Sequence, residues 1–227
     1  IDSRRHRLVR LENGLRFFED ESEAIDTFWG TITSLRSSGR VRAPSDVVFR
    51  LVMDLGSSRT EWDPLFHSAE VVESMDGHTD IVRHALRPAR MWPAYVAARD
   101  FCLLRYWRRE QDGTYVVLYR STQHPMCPKQ RGFVRAELLG GGFIVEPIGE
   151  YGDSCRVTHL VQMVPKGFLF TFTGVPRMLQ YMLLTRVAGI RDLFEHLPDT
   201  ASHEFWGLPA PDEEEFDEEE GAAAAAA

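Results

Sequence analysis

The stretch from Ser68 to Val164 constrains the fold more than any other part of the chain, because dipeptides that favour tight reversals separate its β-forming runs. Asp76-Gly77 divides a run at 69–75 from one at 79–86, and Asp112-Gly113 divides 100–109 from 114–122. Runs at 132–146, interrupted by Gly140-Gly141-Gly142, and at 155–164 follow. Asp-Gly tolerates the positive φ that a two-residue hairpin requires, so successive strands reverse and pair antiparallel. The expectation is a meander of antiparallel strands with one long connection, residues 87–99.

Upstream, residues 8–18 read as two short strands around Asn13-Gly14. Strands are predicted at 28–36 and 40–42, with Ser37-Ser38-Gly39 as the turn between them. Pro44 opens a helix, because its missing N–H belongs to the unpaired first turn, and Asp46 favours the positive end of the helix dipole. Val48, Leu51 and Val52 give that helix an apolar face, and Gly56 ends it. A short helix or turn spans 59–66. The last helix opens at Gly174-Val175-Pro176 and runs to about Leu197. Leu179, Met182, Leu183, Val187, Ile190 and Phe194 lie on its apolar face, while Arg177, Gln180, Arg186 and Arg191 mark the other side.

This order predicts an α+β fold. A half-buried antiparallel sheet needs cover, and one long apolar helix is available to close its concave side. A sheet curved around a single helix leaves space between the two, and apolar concavities with a few convergent polar groups hold ligands. Arg59, Asp63, Arg83, Arg105 and Tyr119 are the candidate polar groups on elements that border such a space, although alternation does not say which strand face is inward.

Charge restricts the partners. Ten of the 34 acidic residues lie after Leu197, where there is no Lys or Arg, so the overall −8 conceals a nearly neutral body. Nucleic acid would require a clustered basic stripe and is not expected as a partner. Residues 198–227, with a Glu-rich run and six terminal alanines, lack the hydrophobicity to fold alone and read as a disordered linker after a domain at 1–197. Three widely spaced cysteines, Cys102, Cys127 and Cys155, fit a reducing compartment better than a disulfide framework. His124 and Cys127 have no second ligand pair, so neither a metal nor any other cofactor is expected. No apolar run reaches the ~20 residues of a membrane-spanning helix. The chain starts at Ile1 without a leader pattern and reads as a segment of something longer.

Residues 10–197 resemble the START (steroidogenic acute regulatory protein-related lipid transfer) domains. The resemblance is carried by Arg59-Thr60-Glu61-Trp62-Asp63, by Trp92-Pro93 followed by Arg99-Asp100-Phe101, and by Val134-Arg135-Ala136-Glu137-Leu138. Tyr106-Trp107-Arg108-Arg109-Glu110-Gln111-Asp112-Gly113-Thr114-Tyr115, Cys127-Pro128 and Gly132-Phe133 are similar to the plant and algal Enhanced Disease Resistance group. There a START domain lies between a phosphoinositide-binding pleckstrin-homology domain and a further C-terminal domain.

The resemblance implies a helix-grip fold, one buried lipid (sterol-like, ceramide-like or phospholipid) and no catalysis. It also implies other domains in the same chain and a cytoplasmic location peripheral to membranes. By alignment with the ceramide-transferring relative, it places Arg59, Asp63 and Tyr119 at the polar end of the pocket. Arg59 and Asp63, four residues apart, otherwise read as a surface ion pair.

The expected gate has two parts. In the 87–99 loop, Met91 and Trp92 stand among Arg87 and Arg90, an arrangement that suits transient contact with an anionic membrane surface. The C-terminal helix, through Met182 and Val187, is the other part, with Gly189 among its places for movement. A polyketide-cyclase type of helix-grip enzyme is the alternative and predicts titratable groups converging in the pocket. A pure interaction scaffold predicts a filled core. Asp63→Leu is expected to weaken head-group selection with little loss of folding.

Overall fold

The computed structural model describes residues 6–12, 14–27, 30–91, 94–149, 152–164, 166–167 and 182–196. The chain divides after His196, and the second unit, Leu197–Ala227, lies outside the described residues together with the expected linker.

The described strands are β1 (His6–Glu12), β2 (Leu15–Thr27), β3 (Gly30–Val41), β4 (Phe66–Ser74), β5 (Thr79–Leu86), β6 (Ala89–Met91), β7 (Ala94–Val96), β8 (Arg99–Arg109), β9 (Tyr115–Ser121), β10 (Val134–Arg135), β11 (Glu137–Ile148) and β12 (Ser154–Val164). Ten of them form one sheet in the order β1-β2-β3-β12-β11-β9-β8-β5-β4, with β10 joined to β8. All pairs are antiparallel except β10 with β8. The fold is α+β, and the predicted meander accounts for β4, β5, β8, β9, β11 and β12. The N-terminal strands extend it on the far side through β3, which pairs with β12.

Three elements depart from expectation. β3 is continuous through Ser37-Ser38-Gly39, because these small residues lie under the C-terminal helix. A Cβ at Gly39 would collide with the Leu15 side chain, and the buried Ser37 hydroxyl donates to the Leu184 carbonyl at 3.0 Å. The 87–99 connection contains the β6–β7 hairpin. The strand expected at 132–146 is split: β10 pairs with β8, and the Arg135 guanidinium donates to the Asp100 carboxylate at 2.6 and 3.1 Å before β11 begins.

Helix α1 (Ser45–Met53) follows Pro44 and buries Val47, Val48, Leu51 and Val52. The short helix or turn expected at 59–66 is a 3-10 turn at Ser57–Glu61. Of the predicted last helix, residues 182–184 are helical, Thr185 is a turn, and α2 (Arg186–His196) continues to the end of the described chain. α2 packs on β3 and β12. No helix among the described residues is long and apolar enough to cross a membrane.

Candidate functional site

Between the inward face of the sheet and the start of α2 lies a narrow cavity of about 50 Å³ that is open on one side. Strand parity builds its walls. Leu86 on β5, Phe101 and Leu103 on β8, Phe143 on β11, and Val161 and Met163 on β12 supply an apolar lining. Gly141 stands opposite Tyr119 in the β11–β9 pair, where the absence of a side chain allows a close approach, since a Cβ there would lie 2.7 Å from the Leu160 carbonyl oxygen.

One end of the cavity is polar. Arg59, His84, Tyr119, His159 and Arg186 all line it. Asp63 lies just behind, with Oδ2 3.5 Å from Arg59 Nε and 2.8 Å from Arg186 Nη2. Arg59 and Asp63 are 2% and 1% exposed, which excludes the surface ion pair. The 3-10 turn fixes Arg59: its Nη1 donates to the Val52 and Asp54 carbonyls at 3.0 and 3.1 Å, and its guanidinium lies 4.6 Å from the Trp62 ring centroid.

Few of these groups are satisfied within the protein. Arg59 Nε, both Asp63 carboxylate oxygens, His84 Nε2, Tyr119 Oη, His159 Nδ1, and Nε and Nη2 of Arg186 are buried without an aligned hydrogen-bond partner. The Asp63–Arg186 approach is thus an ionic contact in which the N–H does not point along the pair. Each unsatisfied buried polar group costs about 1–3 kcal/mol, so this end of the cavity is built to meet something polar.

The histidines are held neutral. Burial, then Arg59, Arg186 and Arg105, pushes His84 well below its ordinary pKa. Burial, then Arg186 and Arg59, does the same to His159, with a hydrogen bond to the Leu183 backbone working against it. Burial also lowers the Arg59 pKa.

The structure brings together Arg59, Asp63 and Tyr119 but not the other two expected polar residues. Arg83 points to the outer face, bonded to Glu70 and to the Met126 carbonyl, because it is one residue out of phase with His84. Arg105 is on the inward side opposite Tyr119 but is taken up by Asp80 at 2.9 and 2.5 Å and by the Met53 carbonyl at 2.9 Å. Of the expected gate residues, Val187 is fully buried, Met182 is half-buried, and neither lines the cavity. Met91 ends β6; its side chain and all of Trp92 lie outside the described residues. Gly189 is a close contact point, since a Cβ there would collide with the Trp62 carbonyl.

Three residues of the site are missing from the sequence candidates. His84 and His159 are placed there by strand parity. Arg186, assigned from sequence to the polar side of its helix, is 8% exposed and faces Asp63. Its spacing of three from Leu183 and four from Ile190 is the available signal, placing it in the apolar stripe.

The START domain family model matches residues 18–172. The chain belongs to the START domain family. This START domain is 40% identical over 207 residues to the Arabidopsis thaliana protein ENHANCED DISEASE RESISTANCE 2-like, covering 87% of the present chain and 28% of that protein. It is 29% identical over 163 residues to Homo sapiens StAR-related lipid transfer protein 13, covering 71% of this chain and 14% of that one. The chain therefore spans under a third of either relative. Among solved structures, human StAR-related lipid transfer protein 5 superposes with a TM-score of 0.73 at 22% identity, over 86% of this chain and 88% of that one. The human StarD13 lipid transfer and protein localization domain does so with 0.67 at 25%, over 85% and 90%. The helix-grip fold of the START domain is thus that of the present chain.

Proposed function

We propose that this START domain holds one lipid between its sheet and its C-terminal helix, as a transfer or sensing module and not as an enzyme. The observation that carries the reading is the cavity itself, apolar along β5, β8, β11 and β12 and ending in buried polar atoms that lack aligned hydrogen-bond partners. Burying an acyl chain contributes about 0.8 kcal/mol per methylene, so a chain of ~16 carbons amounts to on the order of 12 kcal/mol. Release through water is then slow, and exchange belongs at a membrane. Relatives named for lipid transfer support the same reading.

Residues 182–196 are tied down by Ser37–Leu184, Arg186–Asp63 and the close approach of Gly189 to Trp62. We therefore assign movement to the 87–99 connection, whose basic and aromatic residues also suit transient contact with a cytoplasmic membrane face. Further domains in the same protein belong to this proposal. The test is mass spectrometry of lipid extracted from the purified protein, with uptake from liposomes. Retention or uptake of stoichiometric lipid is expected; neither occurring would overturn the reading.

A second reading has one observation in its favour. His84, His159 and Tyr119 converge on the cavity with both imidazoles held neutral, as an enzyme of the polyketide-cyclase type would require of a general base. A bell-shaped pH–rate profile on a small hydrophobic polyketide would favour it.

A further inference from the structure

The polar end of the cavity is unbalanced in charge. Two guanidiniums, Arg59 and Arg186, share the single carboxylate of Asp63, and Arg105 is already neutralised by Asp80. With both histidines neutral, the cluster carries one surplus positive charge among the described residues. Unpaired guanidinium N–H groups remain as well: Arg59 Nε and Arg186 Nε and Nη2 have no aligned partner, beside the Asp63 oxygens, the Tyr119 hydroxyl and the two neutral imidazoles. A surplus charge in a low-dielectric site is costly unless an opposite charge completes it.

From this we infer that the cavity selects a lipid whose head group carries net negative charge, a carboxylate or a phosphate, and that Arg186 is the residue that sets this preference. A negative charge offsets the surplus, its oxygens can accept from the unpaired guanidinium N–H groups, and charge-assisted hydrogen bonds to guanidinium are the strong ones. A hydroxyl head group brings no charge. A zwitterion brings a cation that must be placed beside Arg59 and Arg186. Without Arg186, Arg59 and Asp63 form a neutral pair, and the surplus disappears. The inference rests on the lipid-holding reading and adds the head-group class to it.

The test holds the tail constant and varies the head. The full chain, stripped of lipid, is offered oleate against oleyl alcohol, and dioleoyl phosphatidate against dioleoylglycerol and dioleoyl phosphatidylcholine; bound lipid is quantified by mass spectrometry after re-isolation. The anionic member of each set is expected to bind about tenfold or more tightly, and comparing oleate with phosphatidate separates carboxylate from phosphate. Arg186→Met is expected to abolish the preference for the anionic member of each set, and Arg186→Lys to restore part of it.

Equal or tighter binding of the neutral or zwitterionic members overturns the inference while leaving the lipid-holding reading intact. An unchanged preference in a folded Arg186→Met overturns the role of Arg186. Binding of no lipid at all overturns both. Should Arg186→Met not fold, the wild-type panel still decides the head-group class.

Discussion

His84 and His159 make the site sensitive to acid. Both are buried, and both are held well below their ordinary pKa of about 6.5. For a base depressed in the folded state, the unfolded chain binds more protons between the two pKa values. Stability is therefore complete above about pH 6.5 and is lost as the pH falls below it, with a slope of at most about 1.4 kcal/mol per pH unit for each histidine. Urea unfolding of delipidated protein between pH 7.5 and 5 is expected to show this decline, and His84→Gln to flatten it by about one proton; an unaltered slope would show that the imidazole is not held neutral. At Asp63 the structure corrects the expectation of little folding loss. Removing the carboxylate leaves two buried guanidiniums without their shared counter-charge, so Asp63→Leu is expected to cost about 3–5 kcal/mol in the same unfolding measurement. Arg59 and Asp63 were legible because their motif survives in the sequence. His84 was not, because parity along β5 cannot be read without knowing which face is inward, and its neighbour Arg83 was as good a candidate on composition alone.

Between α2 and the elements beneath it, the decisive contacts are made by residues with almost no side chain. Gly39 and Ser37 let the helix approach β3, and Gly189 brings it against the backbone of Trp62. In an exposed helix interior, replacing Gly by Ala stabilises by about 1 kcal/mol. At Gly189 the added Cβ meets the Trp62 carbonyl, a backbone atom that cannot swing aside, and overpacking of this kind typically costs about 1–3 kcal/mol. Gly189→Ala is thus expected to lower the urea midpoint, the opposite of the propensity effect, and a raised midpoint would show that α2 is not seated on Trp62. The same packing explains where element prediction failed. The strands bounded by Asp-Gly were legible because the signal is local. Ser37-Ser38-Gly39 carries the composition of a turn, but a helix about 147 residues later in the chain uses it as a close-packed strand, and no local rule contains that contact. The β6–β7 hairpin was missed for a related reason: its strands are three residues each, too short for periodicity to register.

At the scale of the whole molecule, the sequence order required a sheet closed by one helix but did not determine how much space would remain. That depends on side-chain volumes across the gap, and on a polar cluster where apolar residues would have filled the core. A chain folded around such a cluster leaves stability unrealised until a ligand completes it. Ligand that binds only the folded state stabilises by RT ln(1 + [L]/Kd), about 2.7 kcal/mol at a hundredfold excess over Kd. For a domain of this size, 1 kcal/mol moves the melting temperature by about 2–4 °C, so loading with a bound lipid is expected to raise it by roughly 5–11 °C. Differential scanning calorimetry of delipidated and reloaded protein measures the shift directly. The same shift is expected to shrink in Leu103→Trp, whose larger side chain would occupy part of the cavity. Loss of fold in that variant is distinguished by far-ultraviolet circular dichroism before the lipid is added. A wild-type melting temperature indifferent to every lipid that reaches the cavity would mean that the space between sheet and helix is a packing defect, with the polar groups around it satisfied by water alone.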